Sequence, residues 1–208
     1  MRKITRESNP FAIRDEIVRI YLKRILRRFK RLNQSLLAFD EINGLNAVNE
    51  CYEEIIAMTV EALTHIARRT YKWANGYDDD FFVDMWLAGL LDISDPVMHY
   101  KFYDEADRKR SRLFEALESV RTSAERKKQI EIGTRYWSKQ FEQTADDVVE
   151  AVLIEVYRRN GVKYGVWVTA HDARVCGDCA ARDGKIYPMN TPSKPPLHWN
   201  CRCFLTPI

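Results

Sequence analysis

Four of the five cysteines in this 208-residue chain fall between residues 176 and 203, in the pattern C-x2-C-x18-H-x2-C-x-C formed by Cys176, Cys179, His198, Cys201 and Cys203. Two thiolates separated by two residues in a tight turn can aim both sulfurs at one tetrahedral metal ion. His198 with Cys201 or Cys203 completes such a shell from the other side, so five candidate ligands compete for four positions. Gly177 and Asp178 suit the turn between the first pair. Pro188, Pro192, Pro195 and Pro196 restrict the connecting loop, which reduces the entropy lost when it closes. Two disulfides, or simply buried thiols, are the alternative chemistry. The sequence opens with MRKITRESNPF, which lacks the apolar core of a signal peptide, and no run of about 18 apolar residues follows. Both observations point to the reducing cytosol of the producing cell, where disulfides are rare and zinc is the expected occupant. With four protein ligands available, the site is expected to be closed and structural. Cys51 stands apart on an apolar helix face and reads as an inert buried thiol.

The rest of the chain constrains the fold in a different way. A hydrophobic fraction of 46%, a charged fraction of 30% and only eight glycines and seven prolines describe an ordinary globular chain. Between about residues 11 and 39, Val18, Leu22, Ile25, Phe29 and Leu32 recur at helical spacing, and Arg19, Lys23, Arg24, Arg27, Arg28, Lys30 and Arg31 crowd the remaining surface. The spacing predicts a basic amphipathic helix. Residues 14–31 carry eight basic side chains against Asp15 and Glu16 alone, so this helix is a candidate for binding DNA phosphates or an acidic protein patch, or is an ordinary solvated face. A second helix is expected from Asn46 to Trp73, ended by Asn75-Gly76, and a third from Phe81 to about Leu91, with Asp78, Asp79 and Asp80 capping its start. The charged stretch from Lys101 to Lys128 reads as helix, and Ile130 to Asn160 closes the helical part at Asn160-Gly161.

At Val162 the composition changes. Val166-Trp167-Val168-Thr169 has strand character, with Lys185-Ile186-Tyr187 and Phe204-Leu205 as further short strands. The expected fold is mainly α: a multi-helix body over residues 1–161, and a small zinc-stabilised, β-rich, Cys/His-rich module over 162–208.

Catalytic signatures are scarce. No Gly-rich phosphate loop, G-x-S-x-G elbow or H-E-x-x-H occurs, and the zinc-deaminase pattern fails because no H-x-E precedes Cys176. A His-Asn-His-like nuclease using His171 and His198 beside a zinc staple is the enzymatic alternative, and a host-side DNA-binding regulator carried by the basic helix is another. Neither is required by the residues, and a non-enzymatic protein is expected.

The segments Trp167-Val168-Thr169, Asp172-x-Arg174-x-Cys176-x-x-Cys179, Asp183-Gly184 and Pro195-Pro196-x-His198-x-x-Cys201-Arg202-Cys203, closed by Pro207, resemble the C-terminal signature of the phage Mu F-like minor head proteins, also called phage head morphogenesis proteins. The resemblance covers about residues 164–208. Many members also carry an Arg-Thr-Glu helix before the tryptophan; the corresponding helix here, Thr144 to Asn160, lacks that triplet. The resemblance implies a minor structural protein of a bacteriophage head, associated with the portal protein and other head proteins. It further implies a role in head morphogenesis and in DNA packaging or ejection, with no membrane and no small-molecule substrate involved. The location implied is the virion, at the head interior or portal, after assembly from the host cytoplasm. Within the signature, Trp167, Asp172, Arg174, Gly184, Pro195, Pro196 and Arg202 are expected to be structural, with Asp172 capping the turn amides around Cys176 or pairing with Arg202.

Overall fold

The computed structural model describes residues 10–36, 41–92, 102–171, 173–190, 195, 197–198 and 201–208. Among these, five long helices precede a small sheet: α1 Pro10–Ser35, α2 Glu41–Asn75, α3 Asp80–Asp92, α4 Phe102–Glu118 and α5 Ser123–Arg159, then β1 Tyr164–Val168, the one-turn helix α6 Gly177–Ala180, β2 Ile186–Pro188 and β3 Phe204–Pro207. The expected fold class stands in its protein part, mainly helical with a short antiparallel sheet after the helices.

Each helix end has a local cause. Pro10 opens α1, where its missing N–H costs nothing. After α2, Gly76 takes φ 87 and its N–H donates to the Lys72 carbonyl at 2.9 Å, as a left-handed C-cap requires. Of the three aspartates that follow, Asp79 is the cap: its Oδ1 accepts from the Phe82 N–H at 3.1 Å. The stretch expected as one charged helix over 101–128 is instead two helices. Thr122 breaks it with a capping box, its hydroxyl accepting from the Glu125 N–H while Glu125 accepts from the Thr122 N–H.

α2 is the central element, packing on α1, α3, α4 and α5. Tyr52 sits at its heart, with T-shaped ring contacts to Phe29 of α1 (6.1 Å) and Trp137 of α5 (5.5 Å), and Trp137 in turn meets Phe102 of α4 (6.4 Å). Cys51 is fully buried beside it, and burial pushes its thiol up to about 12, so it is held as the neutral form.

The sheet runs β2-β1-β3, antiparallel throughout, with Val166 opposite Ile186 on one side and Thr206 on the other. Gly165 permits the close pairing of β1: a Cβ there would lie 3.0 Å from Leu205 Cβ and 3.1 Å from both Met189 Sδ and the Thr206 carbonyl. Successive residues of β3 point to opposite faces. Phe204 enters the helical core against Phe11 (6.2 Å) and Trp73 (6.5 Å), while Leu205 joins Trp167, Cys179, Cys201 and Cys203 in a second, smaller core.

Candidate metal centre

The small core positions the cysteines. Trp167 on β1 is fully buried and forms its floor, with the tilted Tyr187 ring at 5.6 Å and the Arg182 guanidinium 5.5 Å above it. The turn at Gly184, which takes φ 73, is locked to β1 by two bonds: Gly184 N–H to Trp167 O and Trp167 N–H to Lys185 O, both 2.8 Å. Asp183 in the same turn accepts from the Thr169 N–H at 2.8 Å.

Cys176 is the N-cap of α6, its sulfur accepting from the Cys179 N–H at 3.4 Å. That one turn places both sulfurs 3.2 Å from His198 Nε2. From the other side, the Cys201 N–H donates to the His198 carbonyl at 3.1 Å, and Cys201 Sγ lies 3.8 Å from Cys179 Sγ. The five donors make two overlapping trios, Cys176/Cys179/His198 and Cys179/Cys201/Cys203, and Cys179 belongs to both. All five cysteines of the chain are free thiols. The donor set therefore suits a soft or borderline divalent ion.

Electrostatics divide the thiols. The backbone N–H of Cys179 lowers the Cys176 thiol, and burial raises Cys179 to about 12. A hydrogen bond from Cys203 holds Cys201 down at about 5 and correspondingly raises Cys203. Each trio thus contains one sulfur stabilised as thiolate, the form that binds metal.

The other expected structural residues have varied surroundings. Pro195 is buried, Arg174 is exposed and Arg202 is half-buried; Asp172 and Pro196 lie outside the described residues. The two histidines of the nuclease alternative keep different company. His198 faces the thiols, whereas exposed His171, at φ 49, lies 3.4 Å from Thr169 Oγ1 and 3.7 Å from Asp183 Oδ2.

The basic face of α1 is split. Arg28 is buried, with Nε 2.7 Å from Glu54 Oε2; Arg31 approaches the same carboxylate at 3.8 Å, and Arg24 reaches Glu61 at 3.4 Å. Arg19, Lys23, Arg27 and Lys30 remain exposed. The reading from spacing missed a further node. Asp146, Asp147 and Glu150 of α5 are buried, and Arg14 Nε lies 2.9 Å from Asp146 Oδ1 while its NH2 donates to the Glu142 carbonyl at 2.8 Å. Burial pushes the Asp146 carboxyl up to about 7, with Arg14 and Arg202 opposing and Asp147 and Asp15 reinforcing the rise. The available signal was Asp146, Asp147 and Glu150, three carboxylates set among Ala145, Val148, Val149, Ala151 and Val152 within one helical run.

No curated protein and no solved structure matches the chain. Residues 110–206, from within α4 through α5 and the whole cysteine cluster to β3, match the family model described as Phage Mu protein F like protein.

Proposed function

We propose that the chain is a minor structural protein of a bacteriophage head, acting in head morphogenesis at the portal, with a tail held by one structural zinc ion. The carrying observation is that the family match does not stop at the cysteine module but extends through α5, the helix against which that module and α1 are packed. Assembly with other head proteins follows from that family, and the portal is the partner we assign, with packaging or ejection of DNA as the stage served. No helix among the described residues is long and apolar enough to cross a membrane.

Zinc suits the donor chemistry, and closing one four-ligand shell would draw Cys201 toward Cys176 and His198, with which it forms no common trio. With Zn–S near 2.3 Å and Zn–N near 2.0 Å, the edges of a tetrahedral shell are about 3.8 Å between sulfurs and about 3.5 Å from sulfur to nitrogen. Cys179 and Cys201 stand 3.8 Å apart, and Cys176 and Cys179 each stand 3.2 Å from His198. We take Cys201 as the fourth ligand because its N–H bonds the His198 carbonyl and its thiol feels the His198 charge, whereas Cys203 is the hydrogen-bond donor that steadies the Cys201 thiolate. Four protein ligands leave no position for water, so the ion holds the tail together and does no chemistry. The separate surroundings of His171 and His198 favour this reading over a nuclease.

Peptide mass spectrometry of purified virions, with portal-containing subassemblies analysed alongside, tests the assignment. The chain is expected in both; its recovery only as free protein in lysate overturns the reading. DNA cleavage by the purified protein with magnesium, lost in His171→Ala, would establish the enzymatic alternative instead.

A further inference from the structure

α3 is apolar on nearly every side, and among the described residues only its inner half is covered. Its inner residues Val83, Leu87, Leu90 and Leu91 are buried. On the outer face Phe81 and Met85, one turn apart, are 81% and 64% exposed, with exposed Ala88 continuing the row. Large apolar side chains aligned on an exposed helix mark a contact surface. Asp80, Asp84 and Asp92 flank the row, and the helix itself carries no basic residue; Arg68 of α2 is the cation that reaches Asp80 and Asp84.

A second surface has the opposite character. Between α1 and the first half of α5 runs a groove of about 470 Å³, floored by Leu26, Phe29 and Ile130. Thr134 and Ser138 also line it, but their hydroxyls donate back to the Ile130 and Thr134 carbonyls at 2.7 and 2.9 Å, so they add little polarity. Lys30, Lys127 and Arg135 rim the groove against Glu131 alone, and Leu26 is 46% exposed within it. Along α1 the lining runs from Leu26 to Asn33, about 10 Å at 1.5 Å per residue, the same rise as Phe81 to Ala88. α3 packs on α2 and α4, so it cannot reach the groove of its own chain.

We infer that the chain associates head to tail with a second copy of itself. The outer face of α3 of one copy lies in the α1–α5 groove of the next, with Phe81 and Met85 against Leu26 and the α3 carboxylates facing Lys30, Lys127 and Arg135. Duplex DNA would answer the cationic rim but brings no apolar face to the floor, which is why a helix is the better occupant. The two surfaces differ, so the interface is heterologous and each copy retains one unused face, giving rings or open chains according to the rotation between copies. This inference concerns self-association and does not rest on the phage-head reading.

Sedimentation velocity of the full chain over a wide concentration range tests it, with Met85→Glu disabling the α3 face and Leu26→Glu disabling the groove. Both positions are exposed, and circular dichroism confirms that each variant is folded. The wild-type mass is expected to rise past that of a dimer with concentration and to fall back at high salt, and each variant alone to remain monomeric. An equimolar mixture of the two variants is expected to form a heterodimer and nothing larger, because one intact groove meets one intact α3. A wild-type protein that stays monomeric, a single variant that assembles like wild type, or a mixture no larger than its components overturns the inference. Binding of a DNA duplex that Leu26→Glu abolishes, in a protein that does not self-associate, reassigns the groove to nucleic acid and overturns it as well.

Discussion

Phe204→Ala is the most informative single substitution, because Phe204 and its neighbour Leu205 sit in different cores. Phe204 is fully buried, with its ring centroid 6.2 Å from Phe11 and 6.5 Å from Trp73. Truncating a phenylalanine in such a site costs about 3–5 kcal/mol, the lost transfer energy plus the cavity left behind. For a chain of this size each kcal/mol lowers the melting midpoint by roughly 2–4 °C, so a fall of about 6–20 °C is expected. The assay is thermal unfolding followed in two ways, by helical ellipticity for the body and by thiol accessibility of the cysteine cluster for the tail. If β3 is part of what holds α1 and α2 in place, both signals move together in Phe204→Ala, and amide exchange accelerates in α1. Leu205→Ala removes a buried side chain from the tail core alone and is expected to expose thiols before helix is lost. A helical transition at the wild-type midpoint in Phe204→Ala, with only the tail signal displaced, would refute the coupling.

Three further outcomes follow from the site and its supports. In the zinc-loaded protein, Cys179→Ser is expected to abolish metal binding, because Cys179 lies in both donor trios, whereas Cys203→Ser retains one equivalent by elemental analysis. Asp146 has a folded value of about 7, above the unfolded value near 3.9, so the folded state holds the extra proton between about pH 4 and 7. Stability should therefore fall as pH rises through that window, by up to roughly 4 kcal/mol, and Asp146→Asn should flatten the fall seen in urea midpoints at about pH 5 and about pH 8. Thr122→Ala removes the capping box of α5 and should lower stability by about 0.5–2 kcal/mol with no change in metal content.

The helices were legible because their apolar residues repeat at 3.6-residue spacing and their ends carry Asn-Gly or an aspartate cap. The break between α4 and α5 was not read, since residues 119–122 contain neither glycine nor proline; Thr122-x-x-Glu125 was the signal available. That Cys176, Cys179, His198, Cys201 and Cys203 would cluster was also legible, from spacing alone. Their division into two trios sharing Cys179 was not, because the eighteen residues between Cys179 and His198 leave the relative placement of the two pairs to tertiary packing. Charge was read least well. α1 shows eight basic residues in sequence, yet Glu54 and Glu61 engage three of them from a helix whose register no local pattern discloses.

The contact between Phe11 and Phe204 also sets a clock. The two rings come from opposite ends of the described chain, and at 5–20 residues per second a ribosome takes about 10–40 s to deliver the second after the first. During that interval α1 and α2 have no Phe204 to fill the space between Phe11 and Trp73, and Cys201 and Cys203 arrive only at its close. Final closure of the helical body thus waits for β3, arriving together with the last cysteines of the cluster.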